Sequence, residues 1–323
     1  MNVIPLAADS LGVRSVATYV ECGDTRIVID PGASLGRSRF NLPPAEAEWE
    51  ARKRANDRIS AYAPRATTIF ESHYHEDHFR YDPGIYRGKT VWAKDPKRML
   101  GGTQGERAAK LWKGLHGGCR LDAAEGRRME TLDAALAASS PLSHGPDGTT
   151  LGYVIALTVT DRREGFRFVH ASDVQGPLSP VATAYLIRER PNLLYLSGPP
   201  AYLERELGSA VIDRGIANLS RVIDATGCRV IMDHHAVRDA RYPERFRALW
   251  ESGSVVTAAG FLGLADAALE SSRLDLWARR RKPPGRVAKA PSERPARGEK
   301  RGARSGTSNT PRRLRRAADG TGE

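Results

Sequence analysis

Three histidines and an aspartate that could bind metal fall within six consecutive residues of this sequence, in the stretch His-Tyr-His-Glu-Asp-His at positions 73–78. His73 and His75 are two residues apart, so in an extended backbone both imidazoles leave the same face. Asp77 and His78 follow where the chain is expected to turn, and adjacent side chains there point in different directions. This spacing indicates two neighbouring metal ions, with His73 and His75 on one and Asp77 and His78 on the other. Imidazole and carboxylate ligands suit Zn²⁺, and Mn²⁺ or Fe²⁺ are the alternatives.

A site with two ions needs further ligands, and the rest of the sequence offers them beside predicted strands. His144 lies in a loop that precedes a strand-like run. Asp173 ends another such run, where its carboxylate could bridge two metal ions. Two adjacent histidines, His234 and His235, follow the apolar run at 230–232, and the spacing alone leaves open which of them is a ligand.

Strand-like runs alternate with helical patterns along most of the chain, which indicates an α/β domain. Runs rich in β-branched and aromatic residues predict strands at 26–30, 66–72, 90–93, 151–160, 166–171, 193–197, 229–233 and 254–258. Apolar spacing and start signals predict helices at 45–62, 203–226 and 262–278, with another near 106–115. The candidate ligands therefore lie close to the ends of predicted strands.

The net charge of +12 is concentrated at the C-terminal end of the chain. Residues 279–323 contain 15 Lys and Arg against 4 Asp and Glu, a net charge of +11, and residues 1–278 contain 35 against 34, a net charge of +1. The segment has too few apolar residues to offset the entropy of ordering, so we predict a domain at 1–278 and a disordered basic tail at 279–323. Such a tail could bind the phosphates of nucleic acid, or it could be a solubilising appendage.

Composition excludes several other classes of protein. Hydrophobic residues make up 40% of the chain and charged residues 27%, as in ordinary globular proteins. No apolar run approaches the ~18–20 residues that cross a bilayer, and the N-terminus does not have the pattern of a signal peptide. The three cysteines lie about a hundred residues apart, which argues against a disulfide framework. We therefore expect a cytoplasmic protein with no membrane partner, and its oligomeric state stays open.

The order of the candidate ligands resembles that of the metallo-β-lactamase-fold hydrolase superfamily. The matching elements are Asp30 within Ile-Asp-Pro-Gly, the 73–78 stretch, His144, Asp173 and the pair at 234–235. More narrowly, the chain looks like an uncharacterised, mainly archaeal branch of predicted hydrolases with no established substrate. The segments that carry this likeness are Ser-Leu-Gly-Val-Arg-Ser at 10–15, Ser-His-Tyr-His at 72–75, His-Ala-Ser-Asp-Val-Gln-Gly-Pro at 170–177 and Asp-His-His at 233–235. The resemblance covers about residues 1–278.

The resemblance implies a four-layer αββα sandwich of two mixed β-sheets, with two Zn²⁺ ions at one edge between the sheets. By the same resemblance, His73, His75 and His144 bind the first ion, Asp77, His78 and His234 or His235 bind the second, and Asp173 bridges them. The family spacing favours His234 over His235. Asp30 matches a position that orders the loops that carry the ligands, and Asp77 would also orient the bridging hydroxide.

The expected activity is hydrolysis of an ester-like bond by a hydroxide at the two zinc ions. A small ester, lactone, thioester or cyclic phosphate suits a domain of near-neutral charge. A phosphodiester in nucleic acid is the alternative, with the tail as a phosphate-binding arm. A di-iron redox protein is a weaker interpretation, because such members carry a carboxylate where this chain has His75 and are joined to a flavin domain. Tyr202 and Arg238 are candidate substrate contacts.

Overall fold

The computed structural model describes residues 1–281 and contains two mixed β-sheets. The first sheet has six strands in chain order: β1 (Asn2–Pro5), β2 (Thr18–Cys22), β3 (Thr25–Ile29), β4 (Thr68–Glu71), β5 (Thr90–Ala93) and β6 (Arg120–Ala123). Strands β1 to β3 pair antiparallel, and β3 to β6 pair parallel.

The second half of the chain supplies a seven-stranded sheet and a two-stranded ribbon. Its strands are β7 (Arg128–Glu130), β8 (Ala134–Ala138), β9 (Leu142–Ser143), β10 (Tyr153–Val154), β11 (Leu157–Asp161), β12 (Arg167–Ser172), β13 (Leu193–Ser197), β14 (Arg229–Asp233) and β15 (Val255–Val256). Strands β9 and β10 form the ribbon, and the sheet order is β15-β14-β13-β12-β11-β8-β7. Strands β12 to β15 are parallel, whereas β11, β8 and β7 run antiparallel to their neighbours.

Nine helices accompany the sheets within residues 1–281. They are α1 (Glu46–Tyr62), α2 (Gln104–Leu115), α3 (Pro180–Glu189), α4 (Glu204–Leu207), α5 (Ser209–Thr226), α6 (Tyr242–Arg245), α7 (Arg247–Glu251), α8 (Ala258–Phe261) and α9 (Arg273–Arg281). Single turns of 3₁₀ helix occupy Asp9–Leu11, Ala63–Arg65, Pro83–Ile85 and Ala201–Leu203. Within residues 1–281 the helices are too short or too polar to cross a membrane.

Three apolar cores separate the layers. The core between the sheets contains side chains from both, including Phe70 of β4 and Phe168 of β12. A second core joins the first sheet to α1 and α2 through residues such as Ile59 and Leu111, and a third joins the other sheet to α3 and α5 through residues such as Leu219. The layer order is therefore helix, sheet, sheet, helix, which confirms the αββα sandwich of two mixed sheets.

The parallel portions of the sheets determine where the functional loops lie. Strands β3 and β4 are parallel neighbours, so the loops that begin at Asp30 and Ser72 leave the same edge of the first sheet. Strands β12, β13 and β14 are also parallel, so Asp173 and His234 leave one edge of the second sheet. In open α/β sheets, the carboxyl ends of parallel strands are the usual location of binding sites.

Several predicted elements differ from the structure. The predicted strand at 151–160 is two strands, β10 and β11. The predicted helix at 203–226 is interrupted at Gly208, whose positive φ of 86° separates α4 from α5. The predicted helix at 262–278 is wrong in its first half, because α9 begins only at Arg273. Helix α9 also continues to Arg281, past the predicted tail boundary, and residues 282–323 lie outside the described part of the chain. The division at residue 278 therefore stays a prediction.

A buried ion pair joins α9 to α1, and the same arginine binds the loop that precedes α1. The Arg273 side chain is fully buried and donates two hydrogen bonds to the Glu48 carboxylate, at 2.7 and 2.9 Å. Its remaining donors bind the carbonyl oxygens of Gly36 and Leu42, at 2.9 and 3.0 Å. The Glu48 carboxylate also accepts from the Ala45 N–H at the start of α1. Because the Arg273 guanidinium donates to the Glu48 carboxylate and to both carbonyl oxygens, it fixes the loop at 36–45 against the C-terminal helix.

The substitution Arg273→Met is expected to lower the free energy of unfolding by about 3–5 kcal/mol, because it leaves the Glu48 carboxylate buried without its partner. Urea denaturation followed by circular dichroism measures the loss. Lys53→Met is the control, since Lys53 forms an exposed pair with Asp57 on α1, and such pairs contribute little. Equal midpoints for the two variants would contradict this account.

Candidate metal centre

Three histidines and one aspartate form a group whose ligand atoms lie within 4.8 Å of one another: His73, His75, His144 and Asp173. The His75 Nδ1 atom is 3.0 Å from His73 Nε2 and 3.2 Å from His144 Nε2. His144 Nε2 is 3.1 Å from Asp173 Oδ2. The structure thus brings together the three histidines that the sequence assigned to a first metal ion, with the Asp173 carboxylate beside them.

A second group lies next to the first and consists of Asp77, His78 and His234. Asp77 Oδ2 is 3.5 Å from His234 Nε2, and Asp77 Oδ1 is 4.0 Å from His78 Nε2. The Asp173 carboxylate joins the two groups, because Oδ2 is 3.3 Å from His78 Nε2 and Oδ1 is 3.5 Å from His234 Nε2. Asp173 therefore has the position of a residue that could bridge two ions.

The donor atoms of these groups fit a metal better than they fit each other. Within residues 1–281, the buried atoms His78 Nε2 and Asp173 Oδ1 have no hydrogen-bond partner. Buried polar atoms are almost always paired, so each such atom needs an explanation. Imidazole nitrogens and carboxylate oxygens aimed at a common point are the ligand set of Zn²⁺ and related divalent cations. The residues present therefore fit a divalent metal.

Hydrogen bonds to the opposite ring nitrogen orient three of the histidines. His234 Nδ1 is 2.6 Å from Asp9 Oδ2, and His78 Nδ1 is 2.9 Å from Asp30 Oδ2. His73 Nδ1 is 2.9 Å from the Ser72 hydroxyl. A carboxylate that accepts from Nδ1–H fixes the tautomer in which Nε2 carries the lone pair, which is the arrangement common in metal sites. Asp30 also accepts from the backbone N–H of Ser72 at 2.7 Å, and its expected role in ordering the loops stays a prediction.

His234 and His235 occupy different positions relative to the two groups. His234 lies in the second group and has the Asp9 carboxylate behind its ring. His235 Nε2 is 3.7 Å from Asp173 Oδ2, and its Nδ1 has no partner among the described residues. The His235 ring instead lies beside Tyr202, with 6.2 Å between the ring centroids. Asp173, His234 and His235 form a further group of potential ligands, so the preference for His234 stays a prediction, and His235 lines the cavity above the groups.

Left-handed backbone conformations occur where three strands meet the site. Asp30, Ser172 and His234 have φ values of 47°, 52° and 61°. Such values cost energy for residues other than glycine and are concentrated at functional sites. Gly32 allows the loop after β3 to approach the 73–78 stretch, because a Cβ atom there would lie 2.5 Å from the backbone N of His78.

Electrostatics favours the protonation state that metal binding requires in two of the candidate ligands, Asp77 and His75, whereas the carboxylates beside His78 and His234 outweigh burial and raise the pKa of those two imidazoles. Burial raises the pKa of the Asp77 carboxyl, but the nearby His78, His234 and Arg238 outweigh burial and hold that pKa well below its usual value. Burial, together with the neighbouring His144, lowers the pKa of His75 to about 4. At neutral pH, Asp77 is therefore ionised and His75 is neutral, as metal ligands must be.

Asp9 contacts the candidate site, although the sequence did not identify it as a site residue. Its carboxylate accepts from His234 through Oδ2 and from the Arg238 Nε–H through Oδ1, the latter at 2.8 Å. Arg238 is buried and donates from Nη2 to Asp77 Oδ2 at 3.1 Å. Arg238 therefore holds two carboxylates of the site in place. The only sequence signal for Asp9 is its position directly before the segment at 10–15.

A cavity of about 570 Å³ opens above the two groups. Its walls include His75, Asp77, His144, Asp173 and His235, together with both predicted substrate contacts, Tyr202 and Arg238. The Arg14 side chain also lines it and is paired with Glu270 of the C-terminal segment. A ligand in this cavity would contact the metal-ligating side chains directly.

His234→Ala is expected to reduce the metal content of the purified protein, whereas His235→Ala is expected to leave it near the wild-type value. The reason is that only His234 combines a place in the second group with a carboxylate behind its ring. Metal analysis by plasma mass spectrometry after dialysis compares the two variants directly. Loss of metal in His235→Ala alone would reverse the assignment.

Asp9→Ala is expected to weaken metal binding by about ten- to a hundredfold, because residues that orient ligands have effects of this size. Competition with a chromophoric chelator measures the affinity. Asp24→Ala is the matched control, since Asp24 is exposed in the turn between β2 and β3. Equal affinities for the two variants would show that Asp9 does not position the site.

Comparisons with known proteins supply relatives and structures of similar outline. Among solved structures, yeast PDE1 is 14% identical with a TM-score of 0.48, over 79% of this chain and 97% of its own. Tm1679, a metal-dependent hydrolase of the β-lactamase superfamily, is 15% identical with a TM-score of 0.46, over 76% of this chain and 91% of its own.

The relatives by sequence are much closer, although no family model matches the chain. A UPF0282 protein of Methanopyrus kandleri is 38% identical over 85% of this chain and 99% of its own length. One from Thermococcus gammatolerans is 40% identical over 87% and 96%, and one from Methanocaldococcus jannaschii is 34% identical over 85% and 96%. These relatives confirm the resemblance to an archaeal branch, and the chain belongs to the UPF0282 family.

Proposed function

We propose that this protein is a metal-dependent hydrolase that uses two zinc ions to cleave an ester-like bond. The observation that carries the proposal is that two groups of ligand atoms share the Asp173 carboxylate. His73, His75 and His144 would hold the first ion, Asp77, His78 and His234 the second, and Asp173 would bridge them. When bound, such ions supply Lewis acidity that activates water and stabilises negative charge in the transition state.

The side chains around the ligands have separate tasks in this proposal. Arg238 donates a hydrogen bond to Asp77 Oδ2 at 3.1 Å, so it keeps that carboxylate ionised and fixes its orientation. Asp77 would then both bind the second ion and orient the attacking water. Tyr202 and His235 line the cavity and would contact the substrate. The fixed dipoles and charges need little rearrangement during the reaction, which is the main source of electrostatic catalysis.

Charge at the cavity favours an anionic ester. Two zinc ions bring four positive charges, and Asp77 and Asp173 remove two of them. At the rim, Arg37 and Arg107 both approach Glu76, at 3.7 and 3.8 Å, so among the described residues two guanidinium groups share one carboxylate. Guanidinium groups bind phosphate oxygens through paired hydrogen bonds. We therefore infer that the substrate is a phosphoester, and that a neutral ester or lactone fits less well.

Nucleic acid is the alternative substrate, since a phosphodiester in a polymer offers the same chemistry. Its support is the net charge of +11 in residues 279–323, nearly all of which lie outside the described part of the chain. If the tail binds a polymer, cleavage of single-stranded RNA or DNA should fall steeply as salt rises, whereas cleavage of a small phosphodiester should not. A cytoplasmic location likewise stays a prediction.

The double variant His75→Ala/Asp77→Ala is expected to lose both bound metal and turnover, because it removes one ligand from each group. Release of p-nitrophenolate from methyl p-nitrophenyl phosphate, with Zn²⁺ or Mn²⁺ added, measures turnover. His116→Ala is the control, since His116 is exposed after α2 and away from the site. Full metal occupancy in the double variant would contradict the assignment of His75 and Asp77 as metal ligands.

Arg107→Ala is expected to lower kcat/KM for the same phosphodiester by about tenfold, the size of one charge-assisted hydrogen bond of ~1.5 kcal/mol. Hydrolysis of the neutral ester p-nitrophenyl acetate should change little. Arg54→Ala is the control, because Arg54 lies on α1 at an exposed position next to Glu50. Equal losses on the charged and the neutral substrate would contradict a phosphate-binding role.

A further inference from the structure

We propose that the substrate carries an aromatic heterocycle beside the reacting phosphoester, as a nucleoside phosphate does, and that a second cleft next to the metal cavity binds this ring. The proposal rests on the proposed function, because it places the phosphate at the metal centre. The second cleft has a volume of about 650 Å³ and shares Tyr202 with the metal cavity. A ligand that extends past Tyr202 therefore occupies both.

The second cleft is lined by aromatic and guanidinium groups, those of Arg39, Phe40 and Tyr202, of which Tyr202 also lines the metal cavity. The Arg39 guanidinium carbon lies 4.9 Å from the ring centroid of Phe40 and 5.1 Å from that of Tyr202. Arg39 Nη2 donates to the carbonyl oxygen of Arg238 at 3.0 Å, which joins this stack to the metal centre. The buried Arg39 Nε has no hydrogen-bond partner within residues 1–281. A planar group in this cleft gains stacking contacts from rings and from a cation.

The backbone that presents Phe40 is strained. Residues Phe40 and Asn41 have φ values of 54° and 58°, and Arg39 and Leu42 exchange two backbone hydrogen bonds of 2.9 and 3.0 Å around them. This is a two-residue turn with both central residues left-handed, in which Asn and Gly are preferred. A phenylalanine at the first of these positions is costly and leaves its ring 42% exposed. Strain of this kind is retained where the displayed side chain has a function.

Two other features define which ring the cleft suits. The turn is held by the Arg273 guanidinium, which donates to the Leu42 carbonyl, so the Phe40 ring is presented on a fixed support. The carboxylates of Glu206 and Asp275 also line the cleft. Carboxylates accept hydrogen bonds from N–H donors, which a nucleobase has and a plain hydrocarbon ring lacks. Rings that can stack and carboxylates that can accept hydrogen bonds therefore favour a nitrogen heterocycle as the ligand of this cleft.

Calorimetric titration of the zinc-loaded, full-length protein tests this assignment. Adenosine 5′-monophosphate and ribose 5-phosphate differ only in the base, so the ratio of their Kd values reports on the cleft. We expect the nucleotide to bind at least about tenfold more tightly, the size of one base stacked on an aromatic side chain. Phenyl phosphate and methyl phosphate form a second pair, which reports on a ring without N–H donors.

Phe40→Asn is the test variant, because asparagine suits the left-handed turn and removes only the ring. It should reduce the nucleotide preference to about threefold or less. Trp49→Asn is the matched control, since Trp49 is an exposed aromatic residue on α1, and this variant should keep the wild-type preference. Equal Kd values for nucleotide and ribose phosphate in the wild type, or an unchanged preference in Phe40→Asn, would overturn the proposal. A preference confined to phenyl over methyl phosphate would overturn the heterocycle.

The same samples distinguish this inference from the proposed hydrolase. Turnover of methyl p-nitrophenyl phosphate depends on the metal centre, whereas the Kd ratio is an equilibrium property of the cleft. Turnover without a base preference would contradict only the ring assignment. A base preference without any metal-dependent turnover would contradict the hydrolase and support the cleft.

Discussion

The shared carboxylate of Asp173 is the interaction on which the site depends. One side chain, buried just after β12, faces histidines of both groups, and these histidines follow strands of the first sheet, the ribbon and the second sheet. Burying so many titratable groups is unfavourable unless each is paired. Several of the potential ligand atoms face other atoms that carry lone pairs and have no hydrogen-bond donor among the described residues. A cation bound between them would supply the balancing positive charge. The fold therefore brings mutually unfavourable groups together at one edge of the two sheets, and binding of a divalent metal would stabilise that arrangement.

The surroundings of the ligands are organised to hold this arrangement. Asp30 and Asp9 accept from the far sides of two histidine rings, and Arg238 connects Asp9 to Asp77. These contacts join the N-terminal turn, the first sheet and the loop after β14 into one network. A second buried guanidinium, that of Arg273, holds the loop at 36–45 in place. The cavity walls are thus built on fixed supports, as a preorganised site requires.

The two cavities would bind different parts of the proposed substrate. In the proposed function, the metal groups and the rim arginines would bind a phosphoester, and Arg39, Phe40 and Tyr202 would bind a planar ring in the second cleft. Because Tyr202 belongs to both cavities, the ring and the phosphate would lie on either side of this residue. A function in ring binding would account for a bulky side chain at a strained turn beside the second cleft.

The sequence by itself determined the types and order of the candidate ligands and several of the strands. Four of the candidate ligands are close together in the chain at 73–78, and the predicted strands at 90–93, 193–197 and 229–233 match β5, β13 and β14, because the β-branched and apolar runs are continuous there. The tertiary structure added a contact of His234 that the order of the ligands does not show, since its partner Asp9 is 225 residues away along the chain. It also decided the break at Gly208, the short ribbon β9–β10 and the late start of α9. These features depend on long-range packing and on single backbone angles, which local periodicity does not encode.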